Sequence, residues 1–156
     1  MQLSILDYLR KHIDGTLTPD DASRMRYPPP IAATLGFNLV SVALCEATIE
    51  MRTDPSRHAN PMGTIHGGVL CDLADAAIGT AHATTLSEDE SFTSVDLKMN
   101  FFRPIWDTTL RAQAKAVHLG RTTSHYECRI TREDEKLIAM ATSTVMTLRG
   151  VQSVGR

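Results

Sequence analysis

The amino-acid sequence predicts an α+β fold in which one long buried helix lies against an antiparallel β-sheet. From Val69 to about Thr85, nearly every residue is small or apolar and few polar residues interrupt the run, which predicts a helix buried almost all round. Four later segments between residues 94 and 148 alternate apolar and polar residues with period two, a pattern typical of an antiparallel sheet with one solvent-facing side. With ~18 residues the helix spans about 27 Å, enough to cross a curved sheet.

The N-terminal residues predict a helical arm. Apolar residues recur at helical spacing from Leu3 to Ile13, and Gly15 ends the pattern, so we expect a short amphipathic helix there. Four prolines in residues 16–30 disfavour helix. We therefore expect that segment to be an extended connector that lies on the domain.

Strands are predicted on both sides of the buried helix. Residues 31–53 have apolar side chains at strand spacing and predict one long or two short strands, which a polar loop over residues 54–60 follows. After the helix and an acidic loop, strands are expected to begin near residues 94, 110, 122 and 137. In the first of these, one face of the strand is apolar. That face carries Val95, Leu97, Met99 and Phe101.

Length and charge limit the class of protein. A chain of 156 residues suits one domain with a proper core. We expect an arm at residues 1–30, the domain at residues 31–148 and a flexible polar tail at residues 149–156. With 16 basic and 18 acidic residues and a net charge of -2, we expect no general binding to nucleic acid or to an anionic membrane.

The cysteines and the hydropathy pattern predict a cytoplasmic protein. The three cysteines are an odd number without C-x-x-C spacing, so we expect reduced thiols in the core. They are Cys45, Cys71 and Cys128. No signal-peptide pattern is present, and no apolar run approaches the ~20 residues of a membrane span.

The start of the central helix is the strongest candidate for a functional site. A turn-rich polar segment begins at Asn60 and ends in His66-Gly67-Gly68, and the helix follows at once. Glycines let a ligand approach the bare backbone, and the first N–H groups of a helix have no intrahelical acceptor. They therefore favour an anion or a developing oxyanion.

Two acids on the same helix are the second unusual feature. An acid on a buried helix is rarely unpaired unless it faces a cleft or takes part in chemistry. Gly67 and Asp75 are eight residues apart, about 12 Å along the helix axis, too far for both to touch one small group within a subunit. If both act on one group, Asp75 must come from a second chain. Asp72, about 7.5 Å from Gly67 by the same rise, is the competing carboxylate.

These residues resemble those of a known enzyme family. The spacing Asn60-x5-His66-Gly67-Gly68-x6-Asp75 resembles that of the hotdog-fold acyl-CoA thioesterases, in the PaaI-type and 4-hydroxybenzoyl-CoA thioesterase branch. Two further motifs support the resemblance, which covers residues 35–148. They are Ser94–Phe101 with Arg103-Pro104, and Gly120-Arg121-Thr122. The resemblance implies a sheet wrapped around the helix, homodimers with shared active sites, and pairing of dimers into homotetramers.

The resemblance also implies a role for each residue of the candidate site. The Gly67 N–H would polarise the thioester carbonyl, and His66 would position its loop. Asn60 would hold the thioester or the attacking water. Asp75 would act as general base or nucleophile, and Ser94 would steady the water.

Binding residues are implied less directly. Gly68 would let the substrate approach, and guanidinium groups such as Arg103 and Arg121 would suit the phosphates of coenzyme A. Some relatives carry Thr or Ser one turn after the carboxylate, where this chain has Gly79. The expected substrate is an aromatic or short- to medium-chain acyl-CoA, and no metal or cofactor is expected, because the histidine and acid spacing fits no compact ligand set.

Simpler interpretations stay open for several residues. His66 could only cap its loop, and Asn60 could only form a turn. A non-catalytic acyl-CoA-binding module is one alternative for the whole protein, but it would not need Asp75. A hotdog enoyl-CoA hydratase is another, but the sequence lacks the Asp-x4-His pair at a helix start that this chemistry uses.

Overall fold

The computed structural model of the protein describes residues 2–155, in which an antiparallel sheet wraps around one long helix. The helices are α1 (Ile5–Ile13), α2 (Pro30–Leu35), α3 (Pro55–His58) and α4 (Gly67–Ala83). The strands are β1 (Phe37–Ala43), β2 (Glu46–Arg52), β3 (Ser91–Ser94), β4 (Lys98–Phe101), β5 (Thr109–Leu119), β6 (Thr123–Arg132) and β7 (Leu137–Leu148). A 3-10 turn at Gly150–Ser153 follows.

The sheet runs in the order β1, β2, β5, β6, β7, and all its pairings are antiparallel. The other two strands pair with successive parts of β7, β4 with Ala139–Thr142 and β3 with Val145–Leu148. In β5, Leu110, Ala112 and Ala114 point into the core and alternate with exposed residues. The alternation predicted for the later strands is therefore confirmed.

Helix α4 fills the concave side of the sheet and contacts every long strand. Leu73, Ala77 and Ile78 on the helix are fully buried. Of its 17 residues, only Asp72 and Asp75 are exposed. The prediction of a buried central helix is confirmed, and both acids lie where the helix reaches the surface.

The segment before β1 differs from the strand prediction for residues 31–53. Residues Pro30–Leu35 form a helix, and the strands begin only at Phe37. Proline is well suited to the first helical position because its φ is preset and its missing N–H is not needed there. Gly36 then ends the helix in the left-handed region, with φ of 82°, which only glycine adopts easily.

The strand predicted to begin near residue 94 is divided into β3 and β4. Asp96 explains the break, because its carboxylate accepts hydrogen bonds from the Thr144 N–H at 2.7 Å and the Thr144 hydroxyl at 3.1 Å. The Asp96 side chain thereby takes the place of a backbone carbonyl as the acceptor for the Thr144 N–H of β7. The expected apolar face is covered only in part, since Leu97 and Met99 pack against the core, whereas Val95 and Phe101 are each more than half exposed.

Two smaller differences concern the loop before the site and the C-terminus. The predicted polar loop at residues 54–60 contains α3, whose first turn Asp54 caps by accepting from the Ser56 N–H. After β7, Arg149 bonds Glu90 at 2.7 Å, and the 3-10 turn follows. The division of the chain at residues 30 and 148 stays a prediction.

The arm packs along one edge of the domain. Helix α1 is capped by Ser4 and buries Ile5 and Leu9. The connector runs back beside it, and the Leu3 N–H donates to the Ala22 carbonyl at 2.9 Å. Across residues 2–155, no helix is both long enough and apolar enough to cross a membrane.

Candidate active site

The first residues of α4 form a helix start with one open donor. His66 is the N-cap residue, and its Nδ1 accepts from the Gly68 N–H at 2.9 Å. The Val69 N–H donates a hydrogen bond to the His66 carbonyl. The Gly67 N–H has no acceptor among residues 2–155, and it lies at the positive end of the helix dipole. His66 therefore holds the turn that presents the Gly67 N–H.

Both glycines lie close to other groups. A Cβ on Gly67 would lie 3.0 Å from the Phe101 ring, and a Cβ on Gly68 would lie 2.9 Å from His66 Nδ1. Since the Gly68 N–H already bonds His66, Gly68 offers no free donor, and its role in letting a substrate approach stays a prediction. Gly67 opens into a hollow of about 300 Å³ that Phe102 and Arg103 also line. We call this space the Gly67 hollow.

Asn60 organises the loop before the helix. Its Oδ1 accepts from the Met62 N–H at 2.9 Å and the Thr64 N–H at 3.2 Å, and its Nδ2 donates to Thr64 Oγ1 at 2.8 Å. These bonds give Asn60 the turn-forming role that the sequence left open. A direct role toward a thioester or water stays a prediction.

Asp75 and Ser94 meet at the surface. The Ser94 hydroxyl donates to Asp75 Oδ1 at 3.0 Å, which joins the middle of α4 to the end of β3. The other oxygen of the carboxylate has no hydrogen bond with residues 2–155. The structure thus brings together two of the five predicted catalytic residues and leaves one carboxylate oxygen available.

Asp75 and Ser94 line a cavity of about 360 Å³, which we call the Asp75 cavity. Asp72 lines the same cavity, so the position in this cavity does not distinguish Asp75 from Asp72. Gly79 forms part of its floor, and a Cβ there would lie 3.4 Å from the Phe92 ring. A side chain at Gly79, one turn beyond Asp75, would therefore contact the Phe92 ring.

The Gly67 hollow and the Asp75 cavity have no lining residue in common. Together with the axial rise of about 12 Å over eight residues, this separation keeps Gly67 and Asp75 of one chain from contacting the same small group. Of the predicted catalytic residues, Asp75 and Ser94 line one cavity and Gly67 lines the other.

The two candidate phosphate-binding arginines differ in their surroundings. Arg103 lines the Gly67 hollow and is anchored there, because its guanidinium donates to the Leu137 carbonyl at 2.9 Å. Arg121 lies on the turn between β5 and β6, and its guanidinium has no hydrogen bond or ion pair with residues 2–155. Arg103 is therefore near the candidate carbonyl site, and Arg121 is a free cation at the surface.

The cysteines are poor candidates for nucleophiles. Burial raises the pKa of Cys128 to about 12, and burial together with a neighbouring acid also raises the pKa of Cys45 and of Cys71. A thiol with a raised pKa has little of the reactive thiolate. All three are free thiols, but only Cys128 is fully buried, so the expectation of core thiols is wrong for the other two.

Sequence reasoning missed the contribution of the arm to the Asp75 cavity. Met25, Tyr27, Pro29 and Ile31 all line it. The proline run indicated an extended segment lying on the domain, but no periodic pattern indicated where on the domain it lies.

A curled antiparallel sheet around a long helix defines a hotdog fold. Residues 62–139 match the family model of the thioesterase superfamily. The chain therefore belongs to the thioesterase superfamily, and it is a thioester hydrolase.

Individual relatives agree with this assignment. The chain is 30% identical to a 1,4-dihydroxy-2-naphthoyl-CoA hydrolase from Listeria monocytogenes over 112 residues, which are 72% of this chain and 90% of that protein. A variant of the phenylacetic acid degradation protein PaaI from Thermus thermophilus is 31% identical with a TM-score of 0.70, over 76% of this chain and 98% of that chain. The PaaI protein of E. coli is 23% identical with a TM-score of 0.75, over 95% and 97% of the two chains, and shows the fold.

Proposed function

We propose that this protein hydrolyses the thioester of an aromatic or a short- to medium-chain acyl-CoA to the free acid and coenzyme A. The Gly67 N–H would donate a hydrogen bond to the carbonyl oxygen as that oxygen becomes negative in the tetrahedral intermediate. Removing a single oxyanion donor of this kind costs about 3 kcal/mol or more in a well-studied protease. Two relatives favour an aromatic acyl group, since one is named a 1,4-dihydroxy-2-naphthoyl-CoA hydrolase and the other a phenylacetic acid degradation protein.

Asp75 supplies the other half of the reaction in this proposal. As a general base, its carboxylate would take a proton from water as the water oxygen attacks the carbonyl carbon. As a nucleophile, it would attack the carbonyl carbon, the C–S bond would break and coenzyme A would leave as the thiolate, and water would then hydrolyse the resulting acyl-enzyme anhydride. Ser94 donates to one carboxylate oxygen at 3.0 Å, so it fixes the carboxylate and leaves the second oxygen for the water or the carbonyl carbon.

The observation that carries the proposal is the separation of Gly67 and Asp75 into two cavities without a common residue. One thioester can meet both groups only if they come from different subunits. We therefore propose a homodimer whose active sites each combine the Gly67 hollow of one subunit with the Asp75 cavity of its partner. More than half of the Val95 and Phe101 surface is exposed beside these cavities, which favours burial of this face in the dimer.

The remaining parts of the proposal concern the surroundings of the reaction. Arg103 and Arg121 would meet coenzyme A phosphates, and dimers would pair into tetramers. Hydrolysis by this route needs no metal or other cofactor. Three free thiols favour the reducing cytoplasm as its location.

A panel of acyl-CoA substrates with detection of free thiol tests the activity. The panel would include hydroxybenzoyl-CoA, phenylacetyl-CoA and a series of straight-chain acyl-CoAs. We expect turnover, with aromatic or short- to medium-chain substrates preferred. Binding of these substrates without thiol release would contradict the proposal and favour the binding module, and hydration of an enoyl-CoA would favour the hydratase.

Paired variants test which acid acts. Asp75→Asn should lower kcat about 100- to 10,000-fold, the contribution of a placed acid or base. Asp72→Asn is the matched control, because Asp72 is an exposed acid on the same helix and in the same cavity. If Asp72→Asn abolishes hydrolysis and Asp75→Asn does not, the assignment is wrong.

A further inference from the structure

The N-terminal arm forms one wall of the Asp75 cavity, outside the part of the chain that the family model matches. We propose that this wall, residues 25–31, selects the acyl group and favours uncharged apolar acyl groups over those that end in a carboxylate. This inference rests on the proposed thioester hydrolysis with Asp75. It adds residues that determine specificity but do not take part in the chemistry.

The chemistry of the cavity lining supports an apolar ligand. Met25 and Tyr27 from the arm and Ile31 from α2 face the same space as Phe37 and Phe92 from the sheet. Ligand pockets of this composition hold apolar groups and orient them with a few polar contacts. An apolar acyl group attached to a carbonyl beside the carboxylate would therefore be sheltered from water by the arm.

The charges of the cavity argue against an anionic acyl group. Its charged lining residues within the described chain are Asp72 and Asp75, and no lysine, arginine or histidine lines it. A terminal carboxylate in this space would lose its hydration and face two like charges, with no cation in the lining of the same cavity. Acyl groups with a terminal carboxylate should therefore bind poorly.

The size of the cavity suits a ring or a medium-length chain. Its volume of about 360 Å³ exceeds the roughly 150 Å³ of an apolar protein cavity that takes up benzene. Gly79 lines this space beside Phe92, and a side chain there would pack against the Phe92 ring.

The wall is held in place at several points. The guanidinium of Arg24 donates to the Ser87 and Glu88 carbonyls in the loop after α4. The Tyr27 ring packs edge-on against His12 of α1, with ring centroids 5.2 Å apart. The wall is therefore part of the folded domain and can discriminate between acyl groups by shape.

Variants of Ile31 test the wall, because this side chain lines the cavity. Ile31 is also 44% exposed, so its replacement leaves the core intact. The readout is the ratio of kcat/KM for phenylacetyl-CoA to that for acetyl-CoA. Ile31→Trp should lower this ratio at least about tenfold, the scale on which pockets discriminate apolar groups, and Ile31→Ala should not. Val40→Trp is the control, because Val40 is similarly exposed and lies outside the cavity.

The charge preference is tested with wild-type protein. Hexanoyl-CoA and adipoyl-CoA have acyl chains of equal length and differ in the terminal carboxylate. We expect kcat/KM to be at least about tenfold lower for adipoyl-CoA. Equal turnover of the two, or an Ile31→Trp ratio equal to that of Val40→Trp, would overturn the inference while hydrolysis itself persists. If wild-type protein releases no thiol from any acyl-CoA, the proposed function fails instead.

Discussion

Replacement of Gly67 by proline removes the one donor that the site is proposed to aim at the thioester carbonyl. Proline is favourable at the first position of a helix. The preceding residue, His66, has φ of -63° and ψ of 135°, an extended conformation that proline tolerates on its N-terminal side. Gly67→Pro should therefore delete the N–H and keep the helix.

The magnitude follows from the loss of one oxyanion donor, which lowers kcat about 100- to 1,000-fold, or roughly 3 to 4 kcal/mol. Any side chain at this position also places a Cβ about 3.0 Å from the Phe101 ring. Gly67→Ala introduces that same Cβ and retains the N–H, so it is the matched control. The Phe101 ring is 54% exposed and can move to accept the new atom.

The assay is thiol release from the best acyl-CoA, with urea unfolding and circular dichroism to confirm that both variants fold. We expect Gly67→Pro to be slower than Gly67→Ala by the two to three orders of magnitude given above. Equal rates for the two variants would refute the role of the Gly67 N–H, whatever their rates relative to wild type.

Four further substitutions test Ser94 and three buried polar side chains. Ser94→Ala removes a hydrogen bond to the Asp75 carboxylate and should lower kcat about tenfold with little change in KM. Burial lowers the pKa of His82 below its ordinary 6.5, so the unfolded chain binds a proton that the folded chain does not. Stability measured by urea unfolding should therefore fall as pH drops below 6.5, by up to about 1.4 kcal/mol per pH unit, and His82→Gln should flatten that slope. The buried Tyr27 hydroxyl has no hydrogen-bond partner among residues 2–155, so Tyr27→Phe should raise the free energy of unfolding by about 1 kcal/mol, whereas Tyr126→Phe, which loses a bond to His82, should lower it by a similar amount.

Periodicity in the sequence was enough to predict the elements that form the core. Helix α4 has almost no solvated face, and β5, β6 and β7 alternate cleanly, so their positions follow from the residues of each segment alone. The helix that begins at Pro30 was missed because apolar residues outweighed the proline and glycine signals at its two ends. The break after β3 could not be predicted, because it depends on Asp96 reaching Thr144, which is 48 residues away.

In the candidate site, too, the features that depend on neighbouring residues could be predicted and those that depend on distant residues could not. The turn that His66 stabilises involves neighbouring residues, so its glycine-rich sequence was sufficient to indicate a helix start with an open donor. The bond between Ser94 and Asp75 spans 19 residues and was not predicted, because the family resemblance implied only that Ser94 steadies the water. The wall of the Asp75 cavity depends on how the arm packs, and a proline-rich segment has no periodic pattern that indicates its packing partner.

Complementation between two inactive variants tests the shared site most directly. Subunits with Gly67→Pro retain Asp75, and subunits with Asp75→Asn retain Gly67. Refolding equal amounts together should place about half of the subunits in mixed dimers, each with one intact site of two, and should restore about one quarter of wild-type activity. A mixture no more active than its two components would contradict an active site built from Gly67 of one subunit and Asp75 of the other.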